Sequence, residues 1–113
     1  YRNAAISHAT ITMEHHFRDD YSSFHLVNYN RDTGKPNWKQ TFQGIADDSS
    51  WSRGQGWGLY GYTMSYRFSQ EQKFLDHARG IANYILSHPN MPDDLIPYFD
   101  YDAPKHEGTT LYQ

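Results

Sequence analysis

Two side chains near the start of a glycine-rich segment could together recognise an acidic sugar. Arg53 and Trp57 are four residues apart, so a helix over 49–68 would place both on one face near its N-terminus, where anions are favoured. A guanidinium offers a planar fork for a carboxylate, and an indole offers a flat platform for the C–H face of a sugar ring. The pair therefore suits a uronic acid, and a core Trp57 beside a salt-bridged Arg53 is the structural alternative.

A second group of polar side chains comes together if the segment SSFHLVNYNRDTGKPNWKQTFQ forms a β-hairpin. Its DTG stretch, residues 32–34, fits a three-residue loop that ends with glycine in the left-handed region. Residues that face one another then have numbers that sum to 66, which sets His25 opposite Thr41 and Ser23 opposite Gln43. This register places His25, Thr41 and Gln43 on one face, whereas a two-residue turn would split them.

Histidines and paired carboxylates are the remaining groups that could carry chemistry. His8, His15 and His16 lie near the start, but no carboxylate stands at a spacing that would complete a metal site, so we expect no metal. Adjacent aspartates point away from one another and are assigned to caps, turns and loops. Asp100 and Asp102 would share a face in an extended segment, and we assign them a structural role as well.

Three helices are predicted around the hairpin. Residues 4–17 carry an apolar stripe whose members are Ala5, Ala9, Met13 and Phe17. The glycine-rich helix over 49–68 carries a stripe of small residues that consists of Gly54, Gly58, Gly61 and Ser65. Because glycine costs about 1 kcal/mol in a helix, we expect another backbone or a ligand to approach this stripe closely.

Cap signals and a loop complete the predicted organisation. Residues 47–50 should cap the glycine-rich helix, and a capping box of Ser69 with Gln72 should begin a third helix that ends before Pro89. Residues 90–113 contain no convincing helix or strand. We predict a long ordered loop there, anchored by the side chains of Tyr98, Phe99 and Tyr101.

Composition excludes several classes of protein. The 113 residues make one domain at most and contain no cysteine, so no disulfide framework is expected. A net charge of −3 without a basic run argues against binding to nucleic acid or an anionic membrane, and no apolar run is long enough to span a bilayer. No signal-peptide pattern is visible at the start. Aromatic residues make up 17% of the chain although mean hydropathy is only −0.91, which suits a surface for polyhydroxylated ligands as well as a core.

The central motif DDSSWSRGQGWGLYGYTMSYR, preceded by TFQG and followed by HPNMPDDLIPYFDYDAP, resembles the unsaturated glucuronyl hydrolases, glycoside hydrolase family 88. The resemblance covers nearly the whole chain to about Pro104. It implies a mainly α fold that forms part of an (α/α)6 barrel, with a β-hairpin insertion at about 22–42. Residues 1–113 would be a central fragment of one catalytic domain in a bacterial protein of the cytoplasm or periplasm, and the remainder of the barrel would be required.

The resemblance also implies an activity and assigns residues to it. The substrates would be oligosaccharides from polysaccharide lyases, hydrolysed by hydration of the 4,5 double bond of a terminal unsaturated glucuronic acid, without a cofactor. His25 would lie beside the catalytic centre, and the substrate-binding residues would be Thr41, Gln43, Arg53 and Trp57. The family's catalytic aspartates have no match in this chain, so the chain alone is predicted to be inactive.

Two other functions stay open from the sequence. A non-catalytic carbohydrate-binding module would use Trp51, Trp57 and the tyrosine-rich surface. A purely structural helical domain would bind no sugar at all.

Overall fold

The computed structural model describes residues 1–104, and its elements follow the predicted order of helix, hairpin, helix and helix. They are α1 (Arg2–His15), β1 (Leu26–Tyr29), β2 (Pro36–Gln40), α2 (Ser52–Ser69) and α3 (Gln72–Ser87). The prediction of a mainly helical chain with a small antiparallel hairpin is confirmed. None of these helices combines the length and apolar character that crossing a membrane requires. The end of the predicted long loop, residues 105–113, lies outside the described residues.

The first helix contributes one apolar side to the core. The partly buried side chains from this segment that pack there are Ile6, Ala9, Met13 and Phe17. Ala5 is exposed, so Ile6 replaces it in the predicted stripe. The helix ends at His15, and Phe17 then forms an antiparallel bridge with Ser23. Phe17 therefore reaches the core from the loop that follows α1, not from the helix itself.

The hairpin adopts the predicted register at its base. Leu26 pairs with Gln40, and the following two pairs keep the same sum of 66. Near the turn the register shifts by one residue, so Tyr29 pairs with Pro36 across a bulge. Gly34 has the predicted left-handed conformation, with a φ of +67°, but the predicted three-residue loop is wrong. Asn30 and Lys35 close a four-residue loop, since the N–H of Asn30 donates to the carbonyl of Lys35 at 2.8 Å and the N–H of Gly34 donates to the carbonyl of Asn30 at 2.9 Å. The bulge, and not the turn alone, therefore produces the pairing of the residues that lead into the site.

The core lies between α2 and α3, which form a helical hairpin. Phe74 and Ile81 on α3 are fully buried, and Ala78 and Tyr62 are nearly so. The hydroxyl of Tyr62 donates a hydrogen bond of 2.8 Å to the carbonyl of Ala9, which ties α1 to the helical hairpin. The predicted apolar face of the third helix is confirmed where these side chains lie.

The two predicted helix caps are wrong. The N-cap of α2 is Trp51 and that of α3 is Glu71, and neither makes a side-chain cap bond. Ser69 is the last residue of α2 because Gln70 adopts a left-handed conformation, with φ 63° and ψ 19°, and separates the two helices. Asp47 does not cap α2, since its carboxylate accepts a hydrogen bond from the backbone of the loop that follows the hairpin.

We name residues 88–104 the strap, since they cross the N-terminus of α2 without forming a helix or strand. Tyr101 is buried as predicted, whereas Phe99 is 37% exposed and contacts the start of α2 through its backbone carbonyl. Asp100 is fully buried and forms an isolated antiparallel bridge with Trp51. The strap is therefore held at the start of the glycine-rich helix.

The small residues of α2 have two different surroundings. A Cβ atom on Gly58 would lie 2.9 Å from Cζ of Phe17, so an aromatic side chain makes the predicted close approach there. A Cβ atom on Gly61 would meet nothing within 4 Å among the described residues. Gly61 faces the open cavity described below.

Lowering the pH from 7 to 5 is expected to destabilise the protein by about 2 kcal/mol through His77. The side chain is 7% exposed and packs edge-on against Phe17 at 4.4 Å and Tyr62 at 4.5 Å between ring centroids. This burial lowers the pKa of His77 to about 4. Below pH 6.5 His77 binds a proton in the unfolded chain but not in the folded chain. The free energy of unfolding therefore decreases as the pH falls, until His77 is also protonated in the folded chain at about pH 4.

Denaturant unfolding of the full-length protein at the two pH values measures this loss. His77→Phe keeps an aromatic ring among aromatic neighbours and removes the titrating group, so it should remove most of the difference. An equal loss in that variant would assign the pH dependence to other groups.

Candidate functional site

An open cavity of about 410 Å³ lies between α1, the base of the hairpin and α2. Ring-bearing side chains on its wall include His16, Phe24, His25, Trp51 and Trp57. The small-residue stripe of α2 lines the same cavity. Small side chains along this helix therefore leave room beside a row of aromatic rings, which is the arrangement that sugar rings require.

His25 is held by the loop that follows the hairpin. Its Nδ1 atom accepts hydrogen bonds from the backbone N–H groups of Phe42 and Gln43, each at 3.2 Å. Its ring stacks on Trp51 with centroids 4.3 Å apart and an interplanar angle of 18°. Because Nδ1 is an acceptor, the proton of the neutral ring resides on Nε2. Burial lowers the pKa of His25 from 6.5, so the ring is neutral at pH 7 and Nε2 can donate a hydrogen bond.

Thr41 and Gln43 lie beside His25 in different ways. The hydroxyl oxygen of Thr41 is 3.3 Å from Nδ1 of His25 and accepts a 2.8 Å hydrogen bond from the backbone of Gly44. The side chain of Gln43 is exposed, and its backbone contacts the imidazole. The predicted pairing of Ser23 with Gln43 is wrong, because β2 ends at Gln40 and Ser23 forms a bridge with Phe17. Ser23 is buried instead, and its backbone N–H donates to a side chain of α2.

Arg53 and Trp57 both lie in the first two turns of α2. Trp57 is 64% exposed and lines the cavity, so it is not a core residue. Arg53 is exposed, and its guanidinium lies 5.5 Å from the ring centroid of Trp51. Within residues 1–104 the one ion pair is between Arg79 and Asp76, so Arg53 has no acidic partner there. The arrangement leaves a cation and an indole face available to a ligand.

The other candidate groups have structural partners. His15 and His16 each contact the hydroxyl of Tyr29, at 3.3 and 3.0 Å, and so join α1 to the hairpin. No group of three or more potential metal ligands occurs in the part of the chain that the structure describes. Asp100 and Asp102 accept hydrogen bonds from the backbone N–H groups of Ile45 and Ser50, respectively, which agrees with the structural role assigned to them.

Two aromatic residues that line the cavity with His25 were not predicted to lie beside it. Trp51, considered from the sequence only as part of a binding module, is the platform on which His25 stacks. Phe24 lies between two cations, with the guanidinium of Arg18 at 3.9 Å and the ammonium of Lys39 at 4.0 Å from its ring centroid. Burial and the neighbouring Arg18 lower the pKa of Lys39. These contacts join separate segments at no regular spacing, so no sequence pattern reveals them.

Comparisons with known proteins identify one group of relatives. An unsaturated glucuronyl hydrolase from Formosa agariphila is 44% identical over 93% of this chain, which covers 26% of that protein. An unsaturated chondroitin disaccharide hydrolase from Streptococcus pyogenes is 39% identical over 88% of this chain, which covers 25% of that protein. The chain thus spans about a quarter of the length of these relatives. No family model matches the chain.

Solved structures agree with the sequence relatives. A crystal structure of an unsaturated glucuronyl hydrolase specific for heparin matches with a TM-score of 0.87 and 50% identity, over 89% of this chain and 27% of the other. A mutant unsaturated glucuronyl hydrolase from Streptococcus agalactiae, complexed with dGlcA-GalNAc6S, matches with a TM-score of 0.74 and 35% identity, over 96% and 28% of the two chains. These comparisons give no support to a carbohydrate-binding module.

Proposed function

We propose a function on the premise that this chain belongs by sequence and fold to the unsaturated glucuronyl hydrolases, glycoside hydrolase family 88. The protein that contains it would remove the terminal 4,5-unsaturated uronic acid from oligosaccharides produced by polysaccharide lyases. The names of the relatives, which include heparin-specific and chondroitin disaccharide hydrolases, support glycosaminoglycan fragments as the substrate class.

The chain would supply one part of a larger catalytic domain. Its three described helices, with the hairpin inserted between α1 and α2, would form a central portion of an (α/α)6 barrel over residues 1–113. A barrel of twelve helices of about 11 residues each needs considerably more chain than is present here. The remainder of the barrel would therefore be required for activity, including the acid.

The reaction would be a hydration of the double bond instead of a displacement at C1. A carboxylic acid supplied by the remainder of the barrel donates a proton to C4, and water adds its hydroxyl to C5 while a base accepts the second proton. The resulting hemiketal opens between C5 and the ring oxygen to give a ketone, which leaves C1 as a hemiacetal. This hemiacetal breaks down to an aldehyde and releases the neighbouring sugar as an alcohol. None of these proton transfers is assigned to a residue of this chain.

The residues of this chain would bind and orient the unsaturated uronic acid. Arg53 would form charge-assisted hydrogen bonds with its carboxylate, and Trp57 would pack against its ring. His25 would donate a hydrogen bond from Nε2 as an auxiliary group beside the reacting bond. Gln43 would contribute its exposed side chain, and Thr41 would shape the pocket through its contact with His25. The observation that carries this proposal is the position of Arg53, free of acidic partners among the described residues, one turn before the exposed Trp57.

The proposed activity can be tested on the full-length protein with unsaturated disaccharides from chondroitin, hyaluronan and heparin. Hydration removes the conjugated double bond, so the ultraviolet absorbance of the substrate should decrease and free sugar should appear. A saturated disaccharide of the same composition is the matched control and should not react. Unchanged absorbance with all glycosaminoglycan-derived and pectin-derived substrates would contradict the proposal.

A further inference from the structure

The carboxylate of Asp100 is fully buried and is satisfied entirely by hydrogen bonds from uncharged groups. Its Oδ2 atom accepts hydrogen bonds from the backbone of Ile45 at 3.0 Å and from the hydroxyl of Ser49 at 2.6 Å. Its Oδ1 atom accepts a 2.9 Å hydrogen bond from the backbone of Asp102. Burying a carboxylate costs free energy unless its oxygens accept hydrogen bonds, and both oxygens of Asp100 do so here. The surrounding segments are therefore arranged to hold this side chain.

Two of these donors belong to the segment that carries part of the proposed site. We name residues 41–50 the site loop. Thr41 lies at its start, where its backbone N–H donates to Asp47 at 2.8 Å and its hydroxyl accepts from Gly44. A Cβ atom on Gly44 would lie 2.6 Å from the hydroxyl of Thr41 and 2.8 Å from Oδ2 of Asp100. The backbone of the site loop therefore packs directly against the carboxylate.

The backbone on both sides of Asp100 holds the N-terminus of α2. The N–H of Tyr101 donates to the carbonyl of Ser50, and the N–H of Ser52 donates to the carbonyl of Phe99, both at 3.0 Å. Asp100 therefore lies where the strap, the site loop and the first turn of the glycine-rich helix meet. The Asp100 side chain binds the site loop and the backbone on either side of it binds the start of α2, so this part of the strap links the two segments that carry the proposed substrate-binding residues.

We propose that Asp100 is a positioning residue for the substrate site. It sets the site loop, which holds His25 through Thr41 and two backbone N–H groups, at a defined distance from the helix that carries Arg53 and Trp57. A carboxylate suits this task because both oxygens accept, whereas an asparagine in the same place would turn an N–H₂ group towards one set of donors. This inference rests on the proposed function, because it assigns the positioned groups to substrate binding.

The test compares Asp100→Asn with Asn90→Ala in the full-length protein. Asn90 donates a 2.7 Å hydrogen bond to the backbone of Tyr101, so its loss weakens the strap without touching the site loop. We expect Asp100→Asn to raise KM for an unsaturated disaccharide about tenfold, since small misplacements of binding groups are costly. We expect Asn90→Ala to change KM by less than about twofold.

Hydrogen exchange supplies a readout that does not depend on activity. In Asp100→Asn the amides of the site loop should exchange about tenfold faster, while those of α3 keep their rates, because two of the three donors to this carboxylate belong to the loop and none belongs to α3. Ser49→Ala removes one bond to the same carboxylate and should shift both readouts in the same direction by a smaller factor.

The outcomes separate the two inferences. If the wild-type protein leaves every unsaturated substrate unchanged, the proposed function fails, and the exchange of the site loop still decides whether Asp100 holds it. Unchanged exchange in Asp100→Asn overturns the positioning role. An active Asp100→Asn with wild-type KM also overturns it, as does an equal rise of KM in Asn90→Ala, which would indicate general destabilisation.

Discussion

Replacing Arg53 by alanine is expected to lower kcat/KM for an unsaturated uronyl disaccharide by about 100-fold, mainly through KM. The guanidinium has no acidic partner in residues 1–104, and it lies in the first turn of α2, where the helix dipole also favours an anion. Two charge-assisted hydrogen bonds to a carboxylate contribute about 3 kcal/mol together, which corresponds to this factor. Steady-state kinetics on the full-length protein measures it.

Two controls identify the carboxylate as the partner of Arg53. Arg67→Ala removes an exposed arginine from the last turn of the same helix and should leave both constants near those of the wild type. A substrate whose uronate is methyl-esterified should lose most of its dependence on Arg53, since the charge is gone. An unaffected KM in Arg53→Ala would refute the role assigned to this residue.

Replacing His25 by alanine is expected to lower kcat/KM by about 100-fold, because two functions are lost together. The imidazole accepts two backbone hydrogen bonds from the site loop through Nδ1, and its Nε2–H would donate to a substrate oxygen. The two functions are separable in His25→Asn, whose side-chain oxygen can take the place of Nδ1. We expect this variant to retain slow hydrogen exchange in the site loop and to remain impaired in catalysis.

The pH dependence offers a second check on His25. Burial lowers its pKa from 6.5, so the neutral form with Nε2–H persists at pH 7 and protonation occurs only below pH 6.5. Protonation would place a hydrogen on Nδ1, where it would face the two backbone N–H groups that donate to this atom. The contribution of His25 to kcat/KM should therefore disappear as the pH falls below 6.5. A wild-type profile in which kcat/KM instead decreases as the pH rises towards 6.5, where His25 loses its charge, would show that the charged form is the active one.

Features determined by neighbouring residues could be predicted without the structure. The DTG turn predicted the register of the base of the hairpin and the left-handed conformation of Gly34, although a four-residue loop followed by a bulge produces that register instead of a three-residue loop. The apolar spacing of the third helix identified Phe74, Ala78 and Ile81 as core residues. The central motif also indicated the family, which the relatives share. Each of these signals lies within a few residues along the chain.

The helix caps could not be predicted in the same way. Asp47 has the residue type of a cap, but its carboxylate binds the backbone of the site loop. Ser69 and Gln72 have the spacing of a capping box, but the left-handed Gln70 lies between them and ends one helix before the next begins. Local propensity competes here with tertiary hydrogen bonds, and the latter prevail because they satisfy groups that would otherwise be unpaired.

Residue type and spacing were sufficient to predict two pairs of candidate site residues. The repeat of a helix relates Arg53 to Trp57, and the turn of a hairpin relates His25 to Thr41. The tertiary structure was needed to show that Trp57 is exposed, that His25 stacks on Trp51 and presents Nε2 as its donor, and that Asp100 is buried. Asp100 bonds to partners as far as 55 residues away in sequence. Hydrogen bonds over such separations depend on how distant segments fold together, and they leave no periodic pattern along the chain.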